Sequence, residues 1–251
     1  MLKKLLKYFL ILAALCAGIY CYLILFPQVL FKNKVDYRNF SIYSNNAIDK
    51  NINWILDNCI VQLKTSEIYD STVHQKIFFI DDSFYYQMTK SFSKERCGYH
   101  EFLVNNSMVV PKVDVRNNTI TFLDGKARNL AQTMIHETIH SMQEKKLGFW
   151  KVIEQPEWKI EGYAFYIAKN NLIINNGHIS YKYVRHNLED LSNHSMRKHY
   201  WMYGVLTGYL LNEKHLTFEQ FMADDVQETA TVNEVVNWYF NSSRQELISM
   251  L

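Results

Sequence analysis

Proline and glycine are scarce: three prolines and eight glycines in 251 residues. No Gly/Ser/Pro-rich linker divides the chain, and there is no internal repeat or low-complexity tract, which excludes solenoids and strings of tethered modules. Charge of one sign is also missing. Lys and Arg total 27 against 25 Asp and Glu, a net charge of +2, so nothing electrostatic calls for nucleic acid as a partner. Of four cysteines, Cys16 and Cys21 lie in an apolar run, and neither Cys59 nor Cys97 has metal-ligand spacing. That excludes a thiolate zinc site and a dense disulfide scaffold. Cys59 and Cys97 remain, either bonded to each other or as two separate thiols.

What is present begins with a long apolar run, residues 8–26, behind Lys3, Lys4 and Lys7. A helix of about 19 residues covers roughly 28 Å, close to the hydrocarbon thickness of a bilayer. No A-x-A cleavage site follows, and Leu15 and Tyr20, which precede the two cysteines, are large where lipid attachment needs a small residue. The expectation is a single-pass signal anchor over residues 1–31. Its lysines stay in the cytoplasm, and the rest of the chain lies on the extracytoplasmic, periplasmic side. Residues 32–251 are enough for one domain, with a sheet-containing half to about 127 and a helical half from about 128.

Within the first half, residues 40–44 and 76–80 read as strands and 47–63 as a helix. Asp81 and Ser83 suggest a further helix start, and 100–104, 108–113 and 119–123 are three more strand candidates. In the second half, 183–197, 199–211 and 232–240 carry helical spacing, and Thr217 can cap a helix beginning at Phe218. The abundant aromatics, 17 Tyr and 15 Phe, are read as core.

The chemistry concentrates in His136-Glu137-Thr138-Ile139-His140. On a helix, residues four apart project from one face, so His136 and His140 can share one small cation. Glu137 sits further round, beside a water on that cation, where a general base belongs. Asp124-Gly125 can start this helix, Leu130, Met134, Thr138, Ile139 and Met142 mark its apolar face, and Lys145, Lys146 and Gly148 end it. A buried structural histidine pair is the competing reading. Downstream, Pro156 and Glu157 suit the start of a second helix that carries Glu161 about one turn in. Glu161 stands in an apolar, aromatic stretch, and a buried carboxylate needs a partner such as zinc. Gly162 and Ala164 beside it are small enough to let this helix approach the histidine helix.

His136, Glu137 and His140, followed by Trp158, Glu161, Gly162, Ala164 and Tyr166 in the pattern W-x-x-E-G-x-A-x-Y, resemble the gluzincin zinc metallopeptidases, including thermolysin-like and peptidase-MA-like domains. The resemblance covers residues 124–170. It implies an α+β, zincin-like metallopeptidase domain: a small mixed sheet, an active-site helix and a mostly helical C-terminal lobe, behind the one transmembrane helix. It implies His136, His140 and Glu161 as Zn²⁺ ligands, Glu137 as the catalytic carboxylate, a peptide or protein substrate, and an oxyanion donor from a downstream Tyr or His, for which His199 and Tyr203 are chosen over His194 and Tyr200. One position departs. The thermolysin-like branch has an acid four residues after the ligand Glu, orienting a zinc histidine; here that residue is Phe165. The alternative function is a membrane-anchored peptide- or protein-binding module on the same scaffold, without catalytic activity. An intramembrane protease is excluded by Arg128, Asn129, Gln132, Glu144, Lys145 and Lys146, which are too polar for a lipid-facing helix.

Overall fold

The structure, a computed structural model, describes residues 2–80, 98–101, 106–109, 112–121, 125, 127–175, 178–179 and 200–249. Over these residues the chain is a mixed α and β protein, mostly helical, with small sheets. It begins with α1 (Leu2–Leu25), of which Lys3–Leu25 is long and apolar enough to cross a membrane. Large apolar side chains along it are exposed, among them Leu5, Phe9, Leu12 and Ile19.

Two compact units are distinguished, Met1–Leu56 with His74–Leu130, and Asp57–Val73 with Ala131–Leu251. In the first, β1 (Asn33–Tyr37), β2 (Phe40–Ser44), β3 (Gln75–Phe79), β4 (Gly98–Glu101) and β5 (Asn106–Val109) form one sheet in the order β1-β2-β3-β5-β4. Pairing is parallel for β2 with β3 and for β3 with β5, and antiparallel at both edges. β2 and β3 are buried along most of their length, as inner strands of a parallel arrangement require, with Phe40, Ile42, Ile77 and Phe78 inaccessible. Both strands lie within a residue of their expected places. Helix α2 (Ile52–Leu63) starts five residues later than its spacing suggests. The Asp49 carboxylate accepts from the Asn51 N–H at 2.9 Å, and this local turn holds the chain out of the helix until Ile52.

A second, three-stranded antiparallel sheet joins β6 (Lys112–Asp114), β7 (Thr119–Thr121) and β8 (Ala127–Asn129). β8 corrects an expectation. The histidine helix does not start at Asp124-Gly125 straight after β7; β8 intervenes, and α3 (Leu130–Leu147) starts where it ends. The expected helix starting near Asp81 and the one over 183–197 lie outside the described residues.

The second unit contains most of α3, then α4 (Phe149–Glu154), α5 (Glu157–Ile173), the strand pair β9 (Ile174–Asn175) and β10 (His178–Ile179), α6 (Tyr200–Gly208), α7 (Phe218–Phe221) and α8 (Glu228–Ser249). From α6 the chain runs on through a π turn, Tyr209–Glu213. Thr217 caps α7 with a complete capping box: its side chain accepts from the Gln220 N–H and the Gln220 side chain accepts from the Thr217 N–H. The Phe218 N–H of the same turn donates to Glu67 at 2.7 Å. This fixes Phe218 and Phe221 against α5, where the Tyr163 ring lies 4.8 Å from Phe218 and the Trp158 ring 5.6 Å from Phe221. All four rings are buried, each burial contributing on the order of 1.5–3 kcal/mol. They are core, as expected. Cys59 is a free, buried thiol whose sulfur lies 3.7 Å from the Ala131 carbonyl, so it is not bonded to Cys97, which lies outside the described residues. Burial pushes the Cys59 thiol up to about 12, which leaves it inert near neutral pH.

Candidate metal centre

α3 is buried on more than its apolar face. Leu130, Met134, Thr138, Ile139 and Met142 are inaccessible as expected, but Glu137, His140, Ser141 and Gln143 are buried too. The helix therefore carries its polar groups into the protein interior, where each needs a partner. Gly148 stops it, with φ +84 and its N–H on the Glu144 carbonyl at 2.8 Å. In the last turn Lys145 pairs with Asp70 at 2.6 Å and Lys146 with Glu219 at 2.5 Å. These exposed pairs contribute little energy, but their charge suits a helix C-terminus.

α5 supplies the third group. The Pro156 carbonyl accepts from the Lys159 N–H at 3.0 Å at its start. The buried Lys159 ammonium donates to the Ala223 carbonyl at 2.6 Å; burial lowers its pKa, against the opposing pull of Asp224 and Asp225. Further along, Tyr163 shares a 3.0 Å hydrogen bond with Ser66, and the Ile167 carbonyl accepts from Gln62 at 2.8 Å. Glu161 thus rides on a backbone held from both sides.

These two helices bring three donors together. His136 Nε2 lies 3.1 Å from Glu161 Oε2 and 3.2 Å from His140 Nε2, and His140 Nε2 lies 3.7 Å from Glu161 Oε2. All three lie within 4.8 Å of one another, in a group able to hold a metal ion. Burial disfavours the charged form of His140, but the Glu161 and Glu137 carboxylates and the hydrogen bond to Gln143 outweigh it and raise the imidazole to about 9. Burial also opposes ionisation of Glu161, yet the two histidines hold its carboxyl far below the usual range. The cluster thus pairs the buried imidazolium with a carboxylate and leaves neither charge uncompensated.

Compared with protein-family models, curated proteins and solved structures, the chain gives no match. The site stands on its own geometry.

Glu137, on the turn of α3 between the two histidines, is buried, and its charge acts on His140. Tyr203 is on α6, with its ring edge-on to Tyr200 at 6.3 Å. His199 lies outside the described residues. Phe165, in the position of the missing acid, lies under the Lys169 ammonium at 5.2 Å.

The role expected of Gly162 is corrected. Its open face meets α6 rather than the histidine helix: a Cβ there would stand 2.6 Å from Thr207 Oγ1 and 2.8 Å from the Tyr203 carbonyl oxygen. Close approach is needed where two helix backbones cross, and α6 makes that crossing. Gly162→Ala is expected to cost about 1–3 kcal/mol by overpacking, read as a lower urea midpoint at unchanged slope. An unchanged midpoint would show that α6 does not press on this face.

Gln143 belongs to the site without standing out in the motif. It is fully buried, and its side chain contacts His140 Nδ1 at 3.0 Å and the Ile160 carbonyl at 3.0 Å. The signal was available: Gln143 is three residues after His140, on the same helix face.

Proposed function

We propose that this chain is a membrane-anchored, zinc-dependent metallopeptidase of the gluzincin type, built on a zincin-like scaffold. The observation that carries the reading is the spacing of the three donors. Two ligands of one tetrahedral zinc, each about 2.0–2.1 Å from it, stand about 3.3 Å apart. The pairs here are 3.1, 3.2 and 3.7 Å apart, and a set of two imidazoles and one carboxylate suits zinc.

When bound, zinc would lower the pKa of a water and polarise the scissile carbonyl. The chain's own residues do the rest. His136, His140 and Glu161 would hold the ion. Glu137 takes the proton from the attacking water and hands it to the leaving amine. Tyr203 is the described candidate for the donor that stabilises the oxyanion, and His199 is the other. With α1 in the membrane and the folded part on the periplasmic side, tethering raises the effective concentration of protein substrates beside the same membrane.

The test is metal content and hydrolysis together. The full chain, purified in detergent without chelator, is expected to contain one zinc and to cleave an unstructured protein, with loss on chelation and recovery on zinc addition. Bound zinc without cleavage would favour the peptide-binding module, and no zinc even after its addition would sink the reading.

A further inference from the structure

We infer that Gln143 is the positioning residue of this site: it sets which nitrogen of His140 faces Glu161 and ties α5 to α3 one residue before that ligand. The inference rests on reading His136, His140 and Glu161 as a metal site. The Ile160 carbonyl can only accept, so the Gln143 amide turns its NH₂ toward it, at 3.0 Å. That leaves Oε1 facing His140 Nδ1, also at 3.0 Å. A carbonyl-type oxygen only accepts, so Nδ1 keeps its proton, and Nε2 is the nitrogen that gives up its own and turns its lone pair to the group formed with His136 Nε2 and Glu161 Oε2.

One amide thus performs two tasks that a single carboxylate would not. An acid in its place would hold Nδ1–H but set oxygen against the Ile160 carbonyl. Gln143 is itself inaccessible, so water does not substitute for either contact. Nor can Phe165 orient a histidine, having no acceptor. Orientation comes from the histidine helix, three residues after the ligand it serves, instead of from the glutamate helix.

Two variants separate the tasks, each in the full chain in detergent. Gln143→Met matches the volume without an acceptor; Gln143→Glu keeps the acceptor and loses the donor. Zn²⁺ and Co²⁺ dissociation constants are measured by competition with a chelator, melting temperature by circular dichroism, and the His140 imidazole N–H by nitrogen-resolved NMR of the zinc-loaded chain. Gln143→Met is expected to bind both metals about 10- to 100-fold more weakly and to lose an exchange-protected imidazole proton. Gln143→Glu should keep that proton and wild-type affinity within about threefold while melting lower, because its carboxylate meets the Ile160 carbonyl. Equal affinity in Gln143→Met and wild type would overturn the inference alone, as would affinity losses that follow melting temperature in both variants. Should Gln143→Met not fold, the zinc-loaded wild type decides: no protected imidazole proton overturns the inference. A wild-type chain that binds neither metal overturns the metal reading and this inference with it.

Discussion

Glu137→Gln is expected to lower peptide hydrolysis by about a hundredfold to ten-thousandfold while leaving zinc stoichiometry unchanged. The side chain is buried within the histidine pair's turn of α3, and its carboxylate charge acts on His140. Glutamine has the same shape and hydrogen-bonding reach but cannot take up a proton near neutral pH, so the proton from the attacking water has nowhere to go. The donors at His136, His140 and Glu161 are untouched, so the metal should stay. The loss should fall on kcat, because a group that acts in the transition state contributes little to holding the substrate. Near-normal turnover in a substrate assay validated with the wild type would disprove the assigned role. Loss of zinc along with activity would mean that Glu137 supports the ligands.

The second large effect concerns the ligands themselves. His140→Ala and Glu161→Ala each remove one of three donors, and both are expected to lose stoichiometric zinc. Two remaining donors on one ion leave too little binding energy to compete with water. Stability offers an independent readout. A ligand that binds only the folded state at a hundredfold excess over its Kd stabilises by about 2.7 kcal/mol. Added zinc should therefore raise the melting temperature of the wild type and leave both variants unmoved. His140 also contacts Gln143, and its removal orphans that buried amide oxygen, so His140→Ala should melt lower than wild type even without metal. A zinc-dependent shift of wild-type size in either variant would place the ion elsewhere.

Much of this site was legible because its parts are local. His136 and His140 are four residues apart, and helical geometry alone places them on one face. Leu130, Met134, Thr138, Ile139 and Met142 marked the buried side of that helix, Gly148 its end, and Thr217 the cap of α7; each depends on residues within a turn or two. Glu161 was harder, because nothing local makes residues 25 positions apart converge. It was found through the apolar setting of a lone carboxylate and through a resemblance, and its 3.1 Å contact with His136 is a tertiary result.

Other features were decided by packing. Gly162 announced a close approach but not its partner, which is α6 where the histidine helix was expected. β8 is three exposed residues held by pairing with β7, a dependence that single-residue preferences do not carry. Gln143 reads as an ordinary polar helix residue until the Ile160 carbonyl arrives opposite it.

By itself, then, the amino-acid sequence determined the apolar N-terminal helix, the histidine helix with its polarity and end, and the donor types on offer, since all follow from spacing and side-chain chemistry. Only the tertiary structure decided which donors meet, at what distance, and which neighbour orients them. Those depend on contacts between residues far apart in the chain: the Gln143 amide ties α3 to α5, the Gly162 face seats α5 on α6, and the Tyr163 ring packs α5 against Phe218.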